Sequence, residues 1–155
     1  MGVSNPFVEM LSSRIAETKL DFPSDLPMGV LHGDLFPDNV IGGGGGVSAI
    51  LDLEEAWIGP MAFDIAMSCV GFGWDGTVPV WSRWKALFDG YQSVRKLSQK
   101  EVDCLPFLHQ FATLCIASWR FWKHNLREPD ELLSNRYVEM VHRLSVEIDF
   151  SEVLG

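Results

Sequence analysis

His32-Gly33-Asp34-Leu35-Phe36-Pro37-Asp38-Asn39 sets a carboxylate, Asp34, and a carboxamide, Asn39, five positions apart in one loop. Upstream, Gly29-Val30-Leu31 reads as a short strand that leaves Asp34 in the extended loop at its end. Downstream, Val40-Ile41 and Ser48-Ala49-Ile50-Leu51 read as two short strands. The run Gly42 to Gly46 joins them as a flexible turn, because glycine takes positive φ at no steric cost. The second strand is expected to be buried and to continue through Asp52-Leu53-Glu54, delivering Asp52 to a cleft with Glu54 on the same strand face.

The interval from Asp34 to Asn39 equals that of the catalytic loop H-R-D-x-x-x-x-N, with Gly33 in place of Arg. In that loop the Asp accepts the proton of a substrate hydroxyl, and the Asn holds Mg²⁺ on the nucleotide. Asp52 is then the candidate second ligand and Glu54 an auxiliary one. Such a set suits an ion that takes one or two carboxylates and leaves other positions to phosphate and water. Asp34, Asp38, Asp52, Glu54 and Glu55 crowd acids into a short span, and a bound cation offsets their repulsion where they converge. The plainer alternatives are a turn acid capping local amides at Asp34 and solvent-facing side chains at Asp38 and Glu55. The glycine run is no phosphate loop, since Val47-Ser48-Ala49 follows it where a Lys and a helix start are required.

Val30 to Asn39, Ala49 to Ala56, Gly59-Pro60 and Phe63-Asp64-Ile65-Ala66 resemble the aminoglycoside phosphotransferase, choline kinase and homoserine kinase superfamily, small-molecule relatives of protein kinases. Leu31 to Val40 and Trp119-Arg120-Phe121-Trp122 are most similar to its homoserine kinases. The resemblance implies an α+β, predominantly α, protein-kinase-like C-terminal lobe, with a small β-hairpin carrying the catalytic and metal loops. It implies Asp34 as base, Asn39 and Asp52 as Mg²⁺ ligands, ATP as co-substrate, and His32 with Asp64 supporting the loop. The acceptor it implies is a small hydroxylated molecule, a homoserine-like amino alcohol, with an aminoglycoside or choline as alternatives. Arg120 could present its fork to a substrate carboxylate, or it forms a salt bridge or lies along the surface. Trp57, Trp74 or Trp119 could stack on a quaternary ammonium, against the plainer reading of core packing.

The resemblance runs from Pro27 to Ile148 and corresponds to the C-terminal lobe alone. Nothing before Asp34 supplies the Gly-rich strands and strand Lys that position a triphosphate. Ser4-Asn5-Pro6 reads instead as the start of one helix with Phe7, Leu11 and Ile15 as its apolar stripe. Two expectations stand side by side: the catalytic lobe of a kinase, or a catalytically silent lobe acting as an interaction module. Either exposes an apolar inter-lobe face through which the chain could self-associate.

The chain has 155 residues, 47% of them hydrophobic, which is enough for a single domain: a motif region over 27–66 and a helical remainder over 67–150. A net charge of -9 argues against a nucleic-acid surface, which needs basic stripes. Cys69, Cys104 and Cys115 lack metal or disulfide spacing and read as reduced core thiols. With no membrane-length apolar run or signal-like start, the expected compartment is the cytoplasm. Met61 to Gly73 reads as a buried helix, and Val80 to Tyr91 as an amphipathic one. Ser98-Gln99-Lys100-Glu101 has capping-box form, and Pro106 kinks the helix it opens or marks that helix's true start. A last helix is expected over 130–148, with Leu133, Tyr137, Val141, Leu144 and Ile148 on one face.

Overall fold

The structure is a computed structural model, described here over residues 5–154, and over 19–21 for the backbone only. It is mostly helical, with small antiparallel sheets. Helix α1 (Pro6–Asp21) starts where the Asn5 side chain accepts the Phe7 N–H at 2.9 Å. Proline at the first helical position sacrifices no hydrogen bond. Ser4 lies outside the described residues. Of the expected stripe only Phe7 is fully buried, while Ile15 is exposed.

Strand β1 (Met28–Leu31) pairs not with a neighbour in sequence but with β4 (Trp57–Pro60), in the register Val30 to Ile58 and Leu31 to Trp57. Between them, β2 (Val40–Gly43) and β3 (Gly46–Ile50) form the glycine hairpin, with Gly44 and Gly45 at positive φ. Two expectations about this region need correction. Strand β3 is mostly exposed, and it ends before Asp52, whose backbone turns left-handed at φ 60 and ψ 65. A 3-10 turn over Leu53–Glu55 follows, so Glu54 is exposed on a turn and shares no strand face with Asp52.

Helix α2 (Ala62–Phe72) is buried nearly all round. A short hairpin, β5 (Trp74–Asp75) with β6 (Val78–Pro79), leads to α3 (Trp81–Val94). Helix α4 (Gln99–Phe121) packs against both α2 and α5 (Tyr137–Leu144), forming the spine of the core. Its capping box is complete: the Ser98 hydroxyl accepts the Glu101 N–H, and the Glu101 carboxylate accepts the Ser98 N–H at 2.9 Å. Arg95 pairs with the same buried carboxylate at 2.7 Å. Burial pushes the Glu101 carboxyl up, but the Ser98 amide and hydroxyl and the Arg95 guanidinium outweigh it and hold the group below its ordinary value.

Pro106 lies inside α4, so it does not mark the helix start; burial of Leu105, Leu108 and Ala112 around it offsets the lost backbone bond. Full burial of Trp84 and Phe88 beneath the terminal helix α6 (Ser151–Leu154) and Phe150 contributes about 2–3 kcal/mol each. After α4 the chain continues as a π-helical segment, Trp122–Arg127. The expected helix over 130–148 is correct only for 137–144. Asp130 caps the Leu132 and Leu133 amides at 2.8 and 3.3 Å, which favours turns over helix before Tyr137. The chain leaves the helix again at Ser145. Among the cysteines Cys69 is fully buried and Cys104 and Cys115 partly so; burial raises the Cys115 thiol to about 11.

Candidate active site

Pairing β1 with β4 carries the loop after Leu31 to the N-terminal end of α2, and Asp64 fixes it there. The two carboxylate oxygens of Asp64 each accept one backbone N–H, from His32 at 2.8 Å and from Gly33 at 2.9 Å. A carboxylate bridging consecutive amides in this way is a charge-assisted clamp on the backbone. Gly33 has φ +82, and a Cβ there would meet the Glu55 carbonyl at 2.7 Å. Any side chain at this position would therefore force the loop off its support.

The His32 ring stitches the loop to the far hairpin. Its Nε2 lies 2.8 Å from the Leu51 carbonyl, and its Nδ1 accepts the Asp34 N–H at 3.3 Å. A carbonyl only accepts and an amide only donates, so Nε2 carries the hydrogen and Nδ1 the lone pair. Asp64 thus meets the backbone of His32, while its ring holds Leu51, next to Asp52.

Asn39, at the end of a 3-10 turn over Pro37–Asn39, is buried. Its Nδ2 donates to the Asp34 carbonyl at 2.8 Å and to the Asp34 carboxylate at 3.2 Å. Its backbone carbonyl accepts the Leu51 N–H at 2.9 Å, tying the turn to the approach of Asp52. With Nδ2 committed to Asp34, the Asn39 Oδ1 receives no donor among the described residues. Asp52 is exposed and joins no hydrogen bond or ion pair among the described residues.

Burial is the largest influence on the Asp34 carboxyl and raises its pKa; the Asn39 amide and His32 oppose it, and the nearby Asp38 and Asp52 charges add to it. No cluster of three His, Cys, Asp or Glu side chains able to hold a metal occurs among the described residues. The donors present are hard oxygens: the Asn39 Oδ1 and the Asp52 carboxylate. Such a partial set fits Mg²⁺, which keeps several positions for water and phosphate.

The other candidates lie apart. Glu54 and Glu55 are exposed on their turn. Arg120 donates to Glu139 at 2.8 Å and to the Arg136 carbonyl at 3.3 Å, and no hydrogen bond or ion pair joins it to the loop among the described residues. Its partner Glu139 also pairs with Arg143, so the fork belongs to a network between α4 and α5. Trp74 is buried against Trp84 and His109, whereas Trp119 is exposed beneath Lys123. Trp57 is half-exposed and reaches the space beside Gly33. Trp57, expected as a stacking or core residue, lies beside Gly33, and two supports escaped the sequence reading: the Leu51 carbonyl and the contact between Phe36 and Gly71. A glycine inside a mostly apolar helix was the only signal for the last of these.

A loop that places a carboxylate five residues before a carboxamide serves phosphoryl transfer in protein kinases. The model of the phosphotransferase enzyme family matches residues 8–97, more than half of the chain, and the chain belongs to that family. It is similar to homoserine kinases. The homoserine kinase of Rhizobium meliloti (strain 1021) is 33% identical over 126 residues, covering 79% of this chain and 38% of that protein. The one from Methylobacillus glycogenes is 35% identical over 132 residues, 79% of this chain and 39% of the relative. That of Agrobacterium fabrum (strain C58 / ATCC 33970) reaches 42% over 96 residues, 60% and 29% respectively. The matches span no more than about two fifths of these relatives' length. No helix among the described residues is long and apolar enough to cross a membrane.

Proposed function

We propose that this chain is the catalytic, kinase-like C-terminal lobe of an ATP-dependent kinase that phosphorylates the hydroxyl of a small amino alcohol, homoserine or a close analogue. The observation that carries this is the hydrogen-bonded pair of Asp34 and Asn39, held at fixed spacing by Asp64 and His32. Asp34 orients the acceptor hydroxyl and takes its proton as the oxygen attacks the γ-phosphorus. Its raised pKa moves the base toward working pH, and the Asn39 amide keeps one carboxylate oxygen aimed.

Asn39 Oδ1 and Asp52 would hold Mg²⁺, with exposed Glu54 as an auxiliary; when bound, the ion neutralises charge developing on the phosphate oxygens. Asp64 and His32 act on the backbone alone and move no proton. Arg120, occupied by Glu139, would bind an acceptor carboxylate only after giving up that partner.

The test is Mg²⁺-ATP-dependent phosphorylation of a panel of homoserine, choline and an aminoglycoside. Homoserine is expected to show the highest kcat/KM, and a preference for either other acceptor would reject homoserine or a close analogue as the substrate.

A second reading, a silent lobe that associates through an exposed face, is favoured by one observation. The cross-strand pair Val30 and Ile58 is 78% and 70% exposed on the β1–β4 sheet. Sedimentation of the chain and of a Val30→Lys variant tests it: a concentration-dependent dimer lost in the variant supports association through this face.

A further inference from the structure

Phe36 sits at the centre of the catalytic turn. Its N–H donates to the Asp34 carbonyl at 3.0 Å, and its own carbonyl accepts the Asn39 N–H at 3.0 Å. The residue thus connects the backbones of the proposed base and the proposed metal ligand. Its ring is partly buried against the hydrophobic core. The seat of that ring is Gly71, seven residues after Asp64 on α2. Seven residues are two turns, so both positions lie on the same face of the helix. A Cβ on Gly71 would stand 3.1 Å from Phe36 Cγ and Cδ1 and 3.2 Å from its Cα. The last of these is backbone, which no rotamer change can move away.

Glycine inside a helix is disfavoured relative to alanine, and the rest of α2 carries larger residues, all apolar except Asp64 and Ser68. The cost brings the loop backbone closer to the helix. Asp64 holds one end of the loop by its amides, and Gly71 receives the other end through Phe36.

We infer that Gly71 is a positioning residue for phosphoryl transfer: its missing side chain lets Phe36 seat against α2 and so sets the placement of Asn39 relative to Asp34. The role in turnover rests on the function proposed above; the structural coupling does not. A few tenths of an ångström forced on the turn would act on the pair without removing either catalytic group.

The experiment compares the chain with Gly71→Ala and with Gly90→Ala, a control at a helical glycine where an added Cβ meets nothing within 4 Å. Nitrogen-15 NMR follows the Asn39 side-chain amide, bonded to Asp34, while thermal unfolding and Mg²⁺-ATP-dependent turnover are measured in parallel. Gly71→Ala is expected to shift the Asn39 amide signals and lower kcat about tenfold with little change in acceptor KM and no fall in Tm. Gly90→Ala is expected to leave both readouts unchanged. Unchanged Asn39 signals in Gly71→Ala, or an equal shift of them in Gly90→Ala, would overturn the inference. Absence of turnover in every form, including the unsubstituted chain fused behind the N-terminal part of a homoserine kinase relative, would instead count against the kinase reading, and the NMR signals would still decide the coupling.

Discussion

One nitrogen of Asn39 donates to two oxygens of Asp34, the backbone carbonyl at 2.8 Å and the carboxylate at 3.2 Å. This arrangement aims the carboxylate, partly offsets the effect of its burial, and leaves the Asn39 oxygen without a donor among the described residues. Replacing the amide by an acid, Asn39→Asp, removes the donor and brings a second negative charge within hydrogen-bond distance. The Asp34 carboxyl should rise further and lose its aim, lowering kcat about 100-fold and moving the acid limb of the pH profile upward. Steady-state kinetics across pH would check both effects.

The acid limb itself follows from the raised Asp34 carboxyl. The base works ionised, so turnover falls as pH drops through a midpoint above the ordinary carboxylate range. Exposed Asp38 contributes to that rise. Asp38→Asn removes a neighbouring negative charge and should move the midpoint of kcat/KM to lower pH. A midpoint left unchanged would show that the Asp38 charge does not reach the base.

The Asp64 clamp makes a prediction about stability as well as activity. Asp64→Ala leaves the His32 and Gly33 amides without their acceptor. Losing a charged acceptor should cost about 2–3 kcal/mol in denaturant unfolding, and hydrogen exchange at these two amides should accelerate. Loop placement is lost with it, so turnover should fall even under conditions where the protein remains folded.

His109 gives the fold its own pH dependence. Burial, and secondarily the Arg143 charge, lower its pKa to about 4. The unfolded chain binds this proton near the ordinary value of 6.5, so its contribution is fully present above that pH and is lost as pH falls toward 4. About 3 kcal/mol should disappear across this window, superimposed on other titrations. His109→Phe should flatten the pH dependence of the urea midpoint between these values.

The sequence was informative where local chemistry decides structure. Asn5 and Ser98 caps, the glycine hairpin and the buried helix over α2 follow from rules that act within a few residues. The pairing of β1 with β4 was invisible because it joins segments about 30 residues apart, and neither strand alternates clearly. The end of β3 was missed because the left-handed Asp52 is a conformation that a carboxylate side chain tolerates and that hydrophobic pattern does not report. At the site, Asp34, Asn39 and Asp64 carry polar groups whose spacing can be read directly. The Leu51 carbonyl and the Gly71 seat act through backbone and through an absent side chain, so residue identity hardly marks them.

The central claim is that Asp34 is the base of a phosphoryl transfer to a small hydroxyl. It is tested most directly by Mg²⁺-ATP-dependent phosphorylation of homoserine by the chain and by Asp34→Asn. Both are measured alone and fused behind the N-terminal part of a homoserine kinase relative. Turnover in the fused wild-type form, reduced about 1000-fold in the fused Asp34→Asn form, is the predicted result. Equal turnover by the two forms would contradict it.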